Sequence, residues 1–202
     1  MTKIKLCGLS RPGDIEAANE LRPEYVGFVF APKSRRYITQ EAAEELKKLL
    51  HPEIKAVGVF VNEKAENVAW LLNSGVIDIA QLHGSEDAEY IRQLRSLSDK
   101  PLIRACRIRT PEDLTEAEQN PADAVLLDSG AGTGKTFDWS LIRNIGRPYF
   151  LAGGLDPENV EAAIKMLKPY AVDVSSGIES DGMKDQKKMR DFVSAVRKGG
   201  NP

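Results

Sequence analysis

Eight short apolar runs, at residues 4–7, 25–30, 56–61, 77–82, 102–105, 124–127, 149–152 and 171–174, divide the chain at intervals of about 25 residues. Most are rich in Val, Ile and Phe and are continuous rather than alternating, as strands buried on both faces are. Charged segments with helical spacing lie between them. Over residues 41–50, Ala42, Ala43, Leu46, Leu49 and Leu50 fall on one side. Over residues 157–167, Val160, Ala163, Ile164 and Leu167 do the same, and Pro157 suits a first helical turn. Residues 184–198 carry Met189, Phe192, Val193 and Val196, and Thr110-Pro111-Glu112-Asp113 predicts the start of a short helix. The spacing therefore predicts strand–helix repeated eight times. Such alternation implies parallel strands with right-handed crossovers. Eight units without a long linker favour an α/β fold closed into a (β/α)8 barrel, for which ~200 residues is the lower end of the size range. The competing architecture is an open doubly wound sheet, in which the count of eight would be a coincidence. The first run starts near the N-terminus and the last helical segment ends near the C-terminus, so residues 1–202 read as one barrel domain.

Composition narrows the function classes. A chain of 202 residues with 42% hydrophobic and 29% charged residues can bury one sizeable core. The net charge of -2 gives no global basic field, and basic residues cluster only in pairs such as Arg35-Arg36 and Lys187-Lys188, so no nucleic-acid partner is expected. The two cysteines, Cys7 and Cys106, form no C-x-x-C, which points to neither a zinc site nor a disulfide framework. His51 and His83 sit in different contexts without a carboxylate cluster, so no metal is expected. The N-terminus lacks the apolar core of a signal peptide, and no run approaches the ~18 residues of a membrane span. These features predict a cytoplasmic protein with no membrane contact, and no partner protein is evident.

The segment "LLDSGAGTGKTFDW", residues 126–139, tests a different class. Gly134-Lys135-Thr136 resembles the end of a phosphate loop of nucleotide hydrolases, but the first glycine of that motif falls on Ser129. The preceding strand is also the sixth of eight, leaving too little chain downstream for such a domain. What remains is a glycine-rich loop at the C-terminal end of a strand, followed by a helix start at Phe137-Asp138-Trp139.

In a barrel, function is read at the C-terminal ends of the strands. Gly153-Gly154 after the seventh run and Ser176-Gly177 after the eighth suit a phosphate cradle, because small residues let backbone N–H groups approach an anion. Gly153 and Gly154 could alternatively make only a tight turn. Cys7 ends the first run and Asp128 the sixth, and these strands are not neighbours. A thiol and a carboxyl facing each other across the mouth make an acid–base pair. Taken singly, Cys7 fits a small buried residue and Asp128 a loop-stabilising acid. Arg36 is the natural cation for a substrate carboxylate, since its fork matches that geometry. His83, at the polar end of the fourth run, either lines the site or caps the strand, and Asp173 in the eighth run is a further candidate lining residue.

The motifs "KLCGLSRPGD", "GFVFAPKSRRY", "VGVFVN", "QLHG", "LLDSGAGTGKTFDW", "LAGGLDPENV" and "VDVSSGIE", in this order along the chain, resemble the phosphoribosylanthranilate isomerase family of tryptophan biosynthesis. The resemblance implies an Amadori rearrangement of a small phosphorylated substrate, N-(5-phosphoribosyl)anthranilate, without a cofactor. It implies a general base at Cys7 and a general acid at Asp128. It also implies that Arg36, the arginine before the tyrosine in "PKSRRY", binds the anthranilate carboxylate, and that the "GTGKTFDW" loop closes over the substrate. Arg35 departs from the family's pattern and leaves two adjacent arginines to choose between. Two other classes remain: a histidine-pathway Amadori isomerase, which typically pairs two aspartates, and a phosphate-ligand sensor that kept the fold. A cysteine at the first strand end argues against the former.

Overall fold

The computed structural model describes residues 1–128, 139–142 and 145–199. Eight parallel strands run in chain order: β1 (Lys3–Cys7), β2 (Tyr25–Val29), β3 (Lys55–Phe60), β4 (Ile79–Leu82), β5 (Leu102–Arg107), β6 (Ala124–Asp128), β7 (Tyr149–Leu151) and β8 (Ala171–Val174). β8 pairs back onto β1, so the sheet closes into a barrel rather than ending in open edges. Each predicted run is a strand.

Among the described residues, seven α-helices surround the barrel: α1 (Pro12–Leu21), α2 (Gln40–Leu49), α3 (Ala65–Asn73), α4 (Ala88–Leu97), α5 (Pro111–Gln119), α6 (Val160–Leu167) and α7 (Gln186–Gly199). Their starts are chemically marked. Thr39 accepts the Ala42 N–H and Asp87 that of Tyr90, while Thr110 and Asp113 cap each other's backbone.

Three details differ from the sequence expectation. α6 begins at Val160 rather than at Pro157, because the Asp156 carboxylate accepts the Glu158 and Asn159 N–H groups at 2.8 and 2.9 Å and turns the chain first. Between β6 and β7 the described residues hold only a 3-10 turn, Trp139–Leu141, instead of an eighth α-helix; the loop at 132–136 and the helix start expected at Phe137 and Asp138 lie outside the described residues. After β8 comes a 3-10 turn, Ser176–Ile178, and then a small antiparallel hairpin of β9 (Glu179–Ser180) and β10 (Met183–Lys184). Strands of two residues are too short to leave a periodic signal.

Alternation along the strands sorts the side chains. Ile4, Leu6, Val26, Phe28, Val125 and Leu127 are buried beneath the helices. Tyr25, Val57, Ile103, Leu126 and Phe150 fill the barrel interior. Cys7, Val29 and Val59 form a separate small cluster toward the C-terminal ends. The interior is packed, so the opening available to a ligand lies above that last cluster. No helix among the described residues is long and apolar enough to cross a membrane.

Candidate active site

A cavity of about 640 Å³ opens at the C-terminal ends of the strands. Cys7, Asp128 and Arg36 line it, together with Gly153, Gly154 and Ser176. His83 and Asp173 complete the predicted residues found there, whereas Gly177 is not part of the lining.

Cys7 closes β1 with its thiol inside the barrel, and Gly27 of β2 is its partner across the ladder. A Cβ at Gly27 would lie 2.6 Å from the Cys7 Sγ, so this glycine provides the room for the sulfur. Two residues earlier on the same inward face, Lys5 is fully buried, and its Nζ donates to Asp173 Oδ1 at 3.0 Å. Burial pushes the Cys7 thiol above its ordinary range, and the Lys5 ammonium is the main force in the opposite direction. Burial also works against the Lys5 charge, but the Asp173 carboxylate and the neighbouring sulfur outweigh it and raise the lysine. Lys5 is therefore a cation held beside the thiol, and Asp173 is the counter-charge that keeps it there. Neither that pairing nor the role of Gly27 could be read before the strands were laid side by side.

Asp128 closes β6. Its Oδ2 lies 3.6 Å from Nε2 of His83, which follows β4. The amide nitrogen of Gln81, a buried residue of β4, lies 3.0 Å from His83 Nδ1. A Gln81 N–H in that contact makes Nδ1 the acceptor and leaves the ring proton on Nε2, facing Asp128.

Arg36 sits in the loop after β2. Its Nε and Nη2 donate to Glu179 Oε1 and Oε2 at 2.6 and 2.9 Å, and Arg35 Nη2 reaches the same carboxylate at 2.7 Å. Arg36 is the inner of the two, with 22% of its side chain exposed against 60% for Arg35. Its stem crosses Gly8, which has φ +79° and where a Cβ would come within 2.5 Å of Arg36 Cδ. Lys184 of β10 donates to Glu179 Oε1 at 2.7 Å and to the Ser175 carbonyl at 2.9 Å. Burial disfavours the Glu179 charge, but Arg36 and Lys184 outweigh it and bring its pKa down to about 2. Glu179 and Lys184 escaped the sequence reading although Glu179 ends the quoted "VDVSSGIE"; the hairpin that delivers them has no sequence signature.

Gly153 and Gly154 follow β7 with φ of +86° and +69°, in the left-handed region that glycine adopts without strain. Among the described residues neither backbone N–H has a protein acceptor, while Asn159 Nδ2 ties down the Gly154 carbonyl at 2.8 Å. Ser175 and Ser176 border the cavity from the end of β8. At Gly177 a Cβ would lie 2.0 Å from the Leu155 carbonyl oxygen, so this glycine lets the loops after β7 and β8 approach closely. The edge of the cavity thus offers free N–H donors at one place, a guanidinium at another, and a thiol and a carboxyl between different strands. Among the described residues, no group of three or more His, Cys, Asp or Glu side chains is placed to hold a metal ion.

The chain resembles known proteins over nearly its whole length. The family model described as N-(5'-phosphoribosyl)anthranilate (PRA) isomerase matches residues 4–195. A relative from Thermoanaerobacter pseudethanolicus, named N-(5'-phosphoribosyl)anthranilate isomerase, is 47% identical over 98% of each chain. One of the same name from Acetivibrio thermocellus is 44% identical over 98% of this chain and 96% of its own. The crystal structure of phosphoribosyl anthranilate isomerase from Thermotoga maritima has a TM-score of 0.88 and 38% identity, covering 98% of this chain and all (100%) of that one. A phosphoribosyl anthranilate isomerase crystallised with reduced 1-(o-carboxyphenylamino)-1-deoxyribulose 5-phosphate also has a TM-score of 0.88, at 37% identity, over 98% of this chain and 100% of that one. With a family match over nearly its whole length and relatives of this similarity, the chain belongs to the N-(5'-phosphoribosyl)anthranilate isomerase family.

Proposed function

We propose that the cavity at the strand ends catalyses the Amadori rearrangement of N-(5'-phosphoribosyl)anthranilate to 1-(o-carboxyphenylamino)-1-deoxyribulose 5-phosphate in tryptophan biosynthesis, with Cys7 as general base and Asp128 as general acid. The observation that carries this reading is the presence of a thiol from β1 and a carboxyl from β6 in the lining of one cavity, on strands that are not neighbours.

The chemistry needs one proton delivered and one removed. Protonated Asp128 gives its proton to the ribose ring oxygen as the C1–O bond breaks, and the anthranilate nitrogen's lone pair forms the C1–N double bond. The Cys7 thiolate then removes the C2 proton, and the electron pair of that C–H bond becomes the C1–C2 double bond of an enolamine. Transfer of the enol proton to C1 gives the ketone. Each step is a proton transfer or a C–O cleavage, so no cofactor enters.

Lys5 offsets part of the cost of a buried thiolate, as its opposing effect on the Cys7 pKa indicates. The N–H groups of Gly153 and Gly154, with Ser176 and the loop through Gly177, suit the phosphate end of the substrate. Arg36 suits the carboxylate end. Binding at both ends orients the reacting carbon between base and acid, which is how remote binding energy lowers a chemical barrier. In the same reading the barrel is one domain that acts on a small phosphorylated molecule, and its free thiols, Cys7 and Cys106, fit the reducing cytoplasm.

The test is a steady-state assay of the purified protein with N-(5'-phosphoribosyl)anthranilate formed in situ. Saturable conversion to the ketose is expected; a folded protein that leaves the substrate unchanged would overturn the proposal.

A further inference from the structure

A guanidinium has two usable edges for a carboxylate, Nε with one Nη and the pair Nη1–Nη2. Arg36 spends the first on Glu179, through Nε at 2.6 Å and Nη2 at 2.9 Å. Among the described residues its Nη1 has no acceptor, so the end-on edge is unused, and Arg36 lines the cavity. The side chain is held at two points: its Cδ lies over Gly8 and its head is clamped by Glu179. A long side chain fixed in this way loses little further freedom when an anion docks.

The charges are balanced to allow that docking. Glu179 alone would neutralise Arg36 and repel an incoming carboxylate. Lys184, nearly buried, donates to Glu179 at 2.7 Å, and Arg35 reaches it at 2.7 Å. Three cations around one carboxylate leave the cluster positive. The hairpin sets this up directly, because Lys184 and Glu179 face each other across β9 and β10.

We infer that Glu179 is a positioning residue that fixes Arg36 as an end-on receptor for the aromatic carboxylate of the substrate, with Lys184 cancelling the repulsion Glu179 would otherwise exert. This rests on the assignment of Arg36 to that carboxylate. The experiment compares kcat/KM for the natural substrate with that for N-(5'-phosphoribosyl)aniline, which lacks the carboxylate, in the wild type and in Glu179→Gln, Glu179→Asp and Arg36→Ala. Glu179→Gln should shrink the preference for the carboxylate on the order of tenfold, mostly through KM. Glu179→Asp keeps the charge and a partner for Lys184 but draws the oxygens back from Arg36. It should lose preference too, and it serves alone if the Gln variant fails to fold by circular dichroism. A wild-type preference in Glu179→Asp would mean that only the charge matters and would overturn the inference. If Arg36→Ala abolishes the preference while both Glu179 variants keep it, the inference fails and Arg36 keeps its role. If Arg36→Ala leaves the preference intact, both fall.

Discussion

Adding one methyl group at Gly27 should disable the chemistry without touching the ends of the substrate. The new Cβ would stand 2.6 Å from the Cys7 Sγ and 3.0 Å from the Cys7 Cα, with backbone on both sides of the ladder. Comfortable contacts of this kind need about 3.5–4.0 Å, so the thiol must retreat by about 1 Å, or β1 and β2 must part. Overpacking of this sort destabilises by about 1–3 kcal/mol, and a 1 Å misplacement of a reacting group can lower the rate about 10²-fold. Gly27→Ala should therefore lose about a hundredfold in kcat with KM little changed. Gly58→Ala is the control. Its Cβ would meet Ile77 Cδ1 at 2.7 Å and the Phe60 ring at 2.8 Å, away from the cavity. It should lower Tm comparably and spare kcat. Steady-state kinetics and thermal melts of both variants decide the matter. If Gly27→Ala keeps wild-type kcat, or if both variants lose kcat alike, the position of the thiol is not what the glycine protects.

Arg36→Ala should reduce kcat/KM ten- to hundredfold, for the loss of a charge-assisted hydrogen bond worth ~1.5–3 kcal/mol, and leave competition by inorganic phosphate unchanged; a larger loss in Arg35→Ala would exchange the roles of the two. Lys5→Met removes the cation that pulls the Cys7 thiol down, so the thiol rises further. A base works only when deprotonated, so the ascending limb of kcat/KM against pH should move to higher pH, and each unit of that shift lowers the rate at neutral pH about tenfold. An unmoved limb would separate Lys5 from the thiolate. Gly154→Val places a β-branched residue at φ +69° beside the free N–H groups and should raise KM for the phosphorylated substrate sharply while the protein still folds. An unchanged KM would argue against a phosphate there.

The barrel was legible because its signal is repeated eight times and most runs are apolar on both faces. The cavity lining was legible by one rule, that barrel enzymes work at the C-terminal ends of strands, and that rule reaches Cys7, Asp128, Arg36, Gly153, Gly154 and Ser176 without coordinates. What escaped depends on contacts between strands distant in sequence. From the sequence alone, Lys5, two residues before Cys7, could either favour ionisation of the thiol or point outward; only the closure of β8 onto β1, which sets Asp173 opposite it, shows that it faces inward. Gly27 reads as one glycine among several until its ladder partner is known to be Cys7. That Gln81 lines the cavity and meets His83 emerges only from the folded barrel, and Glu179 reaches Arg36 only through a hairpin whose strands are two residues each. Gly177 reads as part of a phosphate cradle, and only the folded chain shows that a Cβ there would also collide with the Leu155 carbonyl.

The most direct test of the acid–base pair is kcat for Cys7→Ala and Asp128→Asn with N-(5'-phosphoribosyl)anthranilate. A positioned general acid or base contributes about 10²–10⁴ in rate. Each variant should lose kcat on that scale with little change in KM, because each group acts in the transition state rather than in binding. Near-normal kcat in either variant would contradict the account and remove that residue from the mechanism.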